Sequence, residues 1–294
     1  MIIIRLVGGL GNRMFLVALA KKLESQGHEV FFDDSFKNTK WSFESIALED
    51  IFANVSLKDA TPDDIKRLGG AKDFISKLRR RFSLPLLHNR HCLYLKVREG
   101  YNPALASLKG EYYINGLSIT DKIFRDCPDL IRQTFAFREF TDETNAKLRD
   151  EMTSCESVAI HVRKGVDYKN TANDGVCDRD YYMRAIDYIK GHVNNPFFYI
   201  FSDNKEWVLN NFSGIPYKII DWNPTSGPQN YLDMQLMSCA RHNIIANSTY
   251  SWWGAWLNPN PGKICILPSF WFNPAMVRKT SSDMDMVPEN WIPL

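Results

Sequence analysis

Residues 157–165 read Ser-Val-Ala-Ile-His-Val-Arg-Lys-Gly, and how this stretch is read decides the fold. The apolar run at 157–162 has the length of a buried strand. A strand leaving its sheet through Arg163, Lys164 and Gly165 brings two cations and a flexible turn to the sheet's carboxyl edge, with His161 just before them. In open α/β sheets that edge is where ligands bind. A guanidinium offers phosphate a planar fork of donors, and Lys164 adds a point charge beside it. The plain alternative is a basic strand end that merely meets solvent, and other segments decide between the two.

Downstream of this strand, short apolar runs alternate with helical periodicities. Strands are expected at 157–162, 197–201, 217–220, 243–246 and 263–267, with helices at 179–190, 204–211, 229–240 and 250–257 between them. Gly191 reads as the stop of the first of these helices. Such alternation predicts a parallel sheet wound on both faces. Upstream, a strand at 2–7, a helix at 13–25 closed by Gly27 and a strand at 29–32 form a β-α-β unit. A helix at 62–82 opens with Thr61 and Pro62, followed by a strand at 111–115 and helices at 120–135 and 141–152. The expected fold class is therefore α/β, with one unit over 1–153 and a second over 154–294. Two such units side by side would leave a cleft between their carboxyl edges.

At 294 residues the chain has room for two ordinary domains. Hydrophobic residues make up 45% and charged residues 24%, as in soluble globular enzymes. The 36 basic and 34 acidic residues leave a net charge of only +2, so no global field recruits nucleic acid. Cysteines 92, 127, 155, 177, 239 and 265 are dispersed without a C-x-x-C pair or zinc spacing, and are expected as reduced thiols in a cytoplasmic protein. The opening Met1-Ile2-Ile3-Ile4-Arg5 is a strand and too short an apolar run for a leader, and no stretch is long enough to cross a bilayer.

Four segments fall at strand-to-helix junctions. Gly8-Gly9-Leu10-Gly11-Asn12 lets backbone approach an anion at a helix N-terminus, although it lacks the features of a P-loop or a full dinucleotide fingerprint. The second segment is His161–Lys164. The third is Phe201-Ser202-Asp203-Asn204, where Ser202 and Asp203 could bond a ribose or a base edge, or cap the next helix. The fourth, Asn247-Ser248-Thr249, offers amides and hydroxyls ahead of Tyr-Ser-Trp-Trp-Gly-Ala-Trp-Leu at 250–257, a helix apolar nearly all round whose tryptophans read as core. Four junctions of this kind are what a nucleotide cleft requires.

Together these segments resemble the α-1,2-fucosyltransferases of glycosyltransferase family 11. The resemblance rests on GGLGNR at 8–13, HVRKGVDY at 161–168, FSDN at 201–204 and NSTYSWWGAWLN at 247–258, in the family's order and across most of the chain. It implies a GT-B architecture of two facing Rossmann-like domains, the first on the acceptor side and the second holding the donor. It also implies an inverting transfer of L-fucose from GDP-β-L-fucose to a galactose 2-hydroxyl, with no metal and no other cofactor. The nucleotide-sugar contacts would come from Gly9, Gly11, Asn12, His161, Arg163, Lys164, Ser202, Asp203, Asn247, Ser248 and Thr249. Arg163 would meet the β-phosphate, and helix N-termini would help neutralise the departing diphosphate.

The chain departs from the family pattern in four places. Arg13 stands for glutamine, Lys164 for a second arginine, Asn204 for a second aspartate, and Val166 is inserted ahead of Asp167 and Tyr168. The insertion shifts Asp167 relative to Arg163, and Asp167 reads as a group that orients the arginine. Asp34, Asp167 and Asp174 are the candidate general bases, none singled out. Asp283-Met284-Asp285 has D-x-D spacing but sits in a polar tail, where a solvated loop is the better reading.

The expected acceptor is a galactose-terminated glycan or lipid-linked oligosaccharide of the kind used for surface glycans or O-antigen. Loops near 33–60 and 85–115, with Trp41, Tyr94, Tyr112 and Tyr113, are the place for its pocket. The basic stretch at 77–82 is a candidate for peripheral contact with an anionic membrane. The competing readings are a transferase for another GDP- or deoxy-sugar, and a non-catalytic nucleotide-sugar or glycan-binding protein.

Overall fold

The computed structural model describes residues 1–35, 47–68, 92–95, 100–276 and 285–294, and gives the backbone alone for 92–95 and 106–107. The chain divides into two compact units, Met1–Ala136 and Phe137–Leu294. Each is built on a wholly parallel sheet with helices between its strands, so the α/β expectation holds. No described helix is long and apolar enough to cross a membrane.

The first unit carries strands β1 (Ile2–Arg5), β2 (Val30–Asp33), β3 (Cys92–Leu95) and β4 (Tyr112–Gly116) in the order β2-β1-β4-β3. Ile2, Ile3 and Ile4 are wholly buried, as a strand covered on both faces requires. The helix after β1 spans Leu10–Ser25, three residues earlier than its apolar period suggests, because Gly9 serves as the N-cap. Gly11 and Asn12 therefore lie in its first turn. Gly8 has φ +77°, and a Cβ there would come within 2.3 Å of Asn12 Nδ2, so only glycine fits this turn.

Thr61 caps the helix Pro62–Arg67 by accepting from Asp64 N at 3.2 Å, as its sequence signature predicts. The rest of the helix expected up to 82, the basic stretch 77–82, Trp41 and the first two residues of the D-x-D triplet lie outside the described residues. The single helix expected at 120–135 is instead a 3₁₀ turn, Asp121–Ile123, and a helix, Pro128–Thr134. Proline has no N–H to continue a helix and so takes its first position, which breaks the run at 124–127.

The second unit carries β5 (Ser157–Val162), β6 (Phe197–Ser202), β7 (Tyr217–Ile220), β8 (His242–Ile244), β9 (Cys265–Leu267) and β10 (Ile292–Pro293), in the order β10-β9-β8-β5-β6-β7. The short β10 was not expected from the sequence. From β5 the chain winds one way through β6 and β7, then returns to the other side for β8, β9 and β10. The winding thus reverses between β5 and β8, the switch point at which open α/β sheets bind ligands. Val158, Ile160 and Val162 pack into a core with Tyr181, Tyr182, Ile186, Phe198, Ile200 and Phe212. The helix Thr249–Leu257 buries Trp252 and Trp253 completely, so its tryptophans are core as expected.

Two boundaries differ from the sequence reading. The helix Glu143–Thr153 belongs to the second unit, which moves the division from 153 to 136. Its Glu151 accepts from Tyr199 Oη at 3.0 Å and pairs with Lys218 at 2.7 Å, while its Asn145 Nδ2 donates to Asn223 Oδ1 at 2.8 Å. The helix Arg179–His192 runs through Gly191 and ends at Val193, whose extended backbone stops it.

Two buried titratable groups of this unit act in opposite directions. Burial pushes the Asp233 carboxyl up to about 7, which a hydrogen bond from Asn223 Nδ2 at 2.8 Å offsets only in part. Burial, helped by the Arg163 charge, pushes the His161 imidazole down to about 3. Below pH 7 native Asp233 keeps a proton that the unfolded carboxyl, with its ordinary value of 3.8, releases, so it stabilises the fold as pH falls towards 4. Below 6.5 the unfolded imidazole takes a proton that native His161 refuses, so it destabilises the fold over much the same window. Each contributes about 1.4 kcal/mol per pH unit, and in the parent protein they nearly cancel. Asp233→Asn removes only the first. Its unfolding free energy in urea is expected to fall by about 2 kcal/mol more than the parent's between pH 7 and pH 5, and equal pH slopes would refute this account.

Candidate active site

The site is assembled where β5 and β6 end. Asp203, the residue after β6, turns its carboxylate towards the chain leaving β5. Its Oδ1 accepts from Lys164 N at 2.7 Å and its Oδ2 from Gly165 N at 2.9 Å, and it pairs with Arg163 Nη1. A Cβ at Gly165 would lie 2.5 Å from Asp203 Oδ2 and 2.7 Å from Asp167 Oδ1, so glycine alone lets the turn pass between the two carboxylates. The other guanidinium nitrogen, Nη2, pairs with Asp167. Burial opposes the Arg163 charge, but Asp203 and Asp167 outweigh it and hold its pKa above the ordinary value. The guanidinium carbon also lies 4.9 Å from the centre of the Tyr168 ring.

Val166 is 82% exposed. The inserted residue turns outward, closed by Tyr168 N donating to Gly165 O at 3.1 Å, and Asp167 stays within reach of Arg163. The shift expected of that carboxylate is absorbed in solvent.

Arg163, Lys164, Gly165, Tyr168, Lys169, Asn173, Asp174, Gly175, Cys177, Asn204, Trp207 and Asn247 line one pocket of about 180 Å³. That is below the roughly 300 Å³ at which whole drug-sized ligands are enclosed, and suits a single polar group such as a diphosphate. Lys164 Nζ sits 4.9 Å over the Trp207 ring and has no carboxylate partner among the described residues. The far wall is held rigidly. Tyr168 Oη donates to Asn247 O at 3.1 Å, Asn247 Nδ2 donates to the carbonyls of Asn173 and Trp271 at 3.0 Å, and Asn273 Nδ2 donates to Asp174 O at 2.8 Å. The Cys177 thiol, raised to about 12 by burial, stays protonated and donates to Asn247 Oδ1 at 3.5 Å.

Of the residues expected from sequence, Arg163, Lys164, Asp174 and Asn247 therefore share this pocket, with Asp167 at its rim. Several others serve the frame instead. Asp203 spends both oxygens on the turn after β5, and Asn247, though it borders the pocket, uses its amide inside the unit. Ser202 Oγ accepts from Asn204 N at 3.0 Å, and Asn204 rather than Ser202 or Asp203 caps the helix Lys205–Asn211 through Trp207 N at 3.0 Å. His161 is buried, its Nδ1 without a partner among the described residues and its carbonyl accepting from Tyr182 Oη at 2.9 Å. Ser248 is the buried N-cap of the helix that Thr249 opens.

Gly9, Gly11 and Asn12 belong to the first unit. There the buried Arg13 grips Asp34 through two bonds, at 2.9 and 3.3 Å. Of the three candidate bases, Asp34 thus pairs with Arg13 and Asp167 with Arg163. Asp174 Oδ2 accepts a backbone N–H, from Asn170 at 2.9 Å, and no described cation pairs with it. The sequence reading gave Gly165 a flexible turn but no place among the site residues, and it missed Tyr168, inside the quoted HVRKGVDY motif, and Lys169 and Trp207, which carry no signal beyond residue type. Among the described residues no cluster of three or more His, Cys, Asp or Glu side chains is arranged to hold a metal.

Comparison with known proteins agrees with the fold, which is of the GT-B type. The family model described as Glycosyl transferase family 11 matches residues 1–293. An α-1,2-colitosyltransferase of Escherichia coli is 29% identical over 300 residues, covering 99% of this chain and 98% of its own. The O-antigen biosynthesis glycosyltransferase WbnK of Escherichia coli is 29% identical over 319 residues, covering 98% and 99%. Among solved structures, the NodZ α-1,6-fucosyltransferase of Bradyrhizobium soaked with GDP-fucose superposes with a TM-score of 0.51 at 15% identity, covering 89% of this chain and 96% of that one.

The Gly165 geometry is open to a direct test. Gly165→Ala forces a methyl group between Asp203 and Asp167 and displaces Arg163. A misplacement on the order of 1 Å at a reacting centre costs about 10²-fold in rate, so kcat/KM is expected to fall by that order while the far-ultraviolet circular dichroism stays unchanged. Full activity in the alanine variant would show that the turn tolerates the methyl.

Proposed function

The chain belongs to glycosyltransferase family 11, and from that premise we propose that it moves L-fucose from GDP-β-L-fucose to the 2-hydroxyl of a galactoside, with inversion and without a metal, in O-antigen assembly. The observation that carries this reading is the convergence of Arg163, Lys164 and Lys169 on one small pocket at the switch point, with Asp174 on its wall. The fold shared with a fucosyltransferase soaked with GDP-fucose supports the choice of donor. The free thiols of Cys127, Cys155, Cys177, Cys239 and Cys265 support a reducing, cytoplasmic setting.

In this mechanism the diphosphate enters beside Lys164 and Lys169. The Asp167 side chain is 44% exposed and that of Asp203 only 9%, so it is Asp167 that yields Arg163 Nη2 to a phosphate oxygen. Asp203 keeps Nη1 and acts as a positioning residue. The acceptor oxygen attacks the anomeric carbon on the face opposite the diphosphate, and the bond to GDP breaks as the new glycosidic bond forms. The electron pair leaves on the β-phosphate, where the three cations stabilise it. The hydroxyl proton passes to Asp174, the one candidate base that no described cation holds.

A second reading has specific support. The relative named as an α-1,2-colitosyltransferase favours a donor carrying a different deoxyhexose, with the same phosphate site and the same linkage.

The test is incubation with GDP-fucose and a β-galactoside, with and without EDTA, and determination of the product linkage by NMR. An α-1,2 product formed equally well with EDTA is expected. Loss of turnover with EDTA would overturn the metal-free mechanism, and turnover with GDP-colitose alone would establish the second reading. Tight donor binding without transfer to any galactoside would make the protein a binding protein. In Asp174→Asn, kcat is expected to fall by about 10²- to 10⁴-fold with GDP affinity unchanged, and an undiminished kcat would remove Asp174 from the role of base.

A further inference from the structure

Among the described residues the exposed large apolar side chains are Val166, Leu209, Trp222 and Met276, and only Trp222 is aromatic. It lies two residues past the end of β7 and is 40% exposed. Its one polar atom is committed, since Nε1 donates to the buried Asn145 Oδ1 at 3.0 Å. The next residue, Asn223, is buried and bonded to both Asn145 and Asp233. The start of this loop is thereby anchored and the indole plane is fixed. With its donor used, what the ring still offers is a rigid, flat apolar face.

Strand register locates the residue that carries it. His161 is level with Phe201 on β6, and Phe201 with Ile220 on β7. Two residues further on, the three chains have left the sheet at Arg163, Asp203 and Trp222. The Arg163–Asp203 ion pair shows that the first two chains remain neighbours beyond their strands. Trp222 therefore stands on the same carboxyl edge as Arg163, two strand spacings away, or roughly 10 Å. This is the reach of a nucleoside diphosphate from its terminal phosphate to its base.

We propose that Trp222 is the stacking platform for the guanine base of the donor. The inference rests on the GDP-sugar reading above and extends it, because it assigns the base to the loop after β7 while the diphosphate lies at the loop after β5. A base presents a π-face whatever its edge carries, so the platform supplies affinity and the span from phosphate to base sets the length of ligand that fits.

Calorimetric titration of the full chain with GDP and with inorganic pyrophosphate tests this. In Trp222→Ala the GDP dissociation constant is expected to rise by about 10-fold or more, with that for pyrophosphate unchanged. Trp222→Phe keeps an aromatic face and is expected to stay within about threefold of the parent. Unchanged GDP affinity in the alanine variant would overturn the proposal. So would an equal loss for GDP and pyrophosphate, which would mean that the loop had merely collapsed. A raised acceptor KM at unaltered GDP affinity would also overturn it, by assigning the ring to the acceptor sugar. If the parent protein binds pyrophosphate but gains nothing from the nucleoside, the platform alone fails; if it binds neither, the GDP-sugar reading fails with it.

Discussion

The site depends on where Asp203 sends its carboxylate. A charge as buried as this must be compensated, and here two backbone N–H groups and a guanidinium share the task. The consequence is geometric as much as energetic. By drawing the amides of Lys164 and Gly165 towards β6, Asp203 makes the chain turn sharply as it leaves β5. That turn presents Arg163 and Lys164 to the pocket and leaves no space for a side chain at position 165. The sheet provides the platform, and this one carboxylate aims what stands on it.

Around the pocket, charge is close to balanced before any ligand arrives. Arg163, Lys164 and Lys169 face Asp167, Asp174 and Asp203, three of each sign. The cations are nonetheless held differently. Arg163 is clamped between two carboxylates, Lys164 rests over the Trp207 ring, and Lys169 is solvent-exposed. An anion arriving as proposed would meet one preorganised fork and two point charges that, among the described residues, need not be pulled from ion pairs, an arrangement suited to a charge that builds during reaction.

Much of this architecture was legible in the sequence, and what was missed follows a pattern. Strand β5 was read with its observed bounds because six buried residues in a row leave a plain apolar signature. The buried tryptophan helix was read for the same reason. Local chemistry also read well at Thr61 and Pro62, although the break that Pro128 imposes was equally visible and went unused. Side-chain destinations were not legible. Asp203 and Asn247 have the chemistry of ligand contacts, and nothing near them in sequence says that their partners lie 39 and 74 residues away inside the protein. The inserted Val166 misled in the opposite sense, since a change of register in the sequence need not move a carboxylate when a turn can bulge into water. The unit boundary fell elsewhere because Glu143–Thr153 has an amphipathic period that fits either neighbour, and only its bonds to Tyr199, Lys218 and Asn223 decide.

The loop between β5 and the helix Arg179–His192 is stitched down by residues met late in the chain: Asn247 reaches Asn173 across 74 positions, Tyr168 reaches Asn247 across 79, and Asn273 reaches Asp174 across 99. Closing such distant contacts carries an entropic cost that neighbouring turns and helices do not meet, so contacts of high sequence separation form slowly. The centre of the sheet meets the same cost, since Val158 on β5 pairs with His242 on β8, so the pocket and the strands beneath it share one long-range closure. In a refolding molecule the local helices are expected to return before a pocket whose walls come from such distant positions.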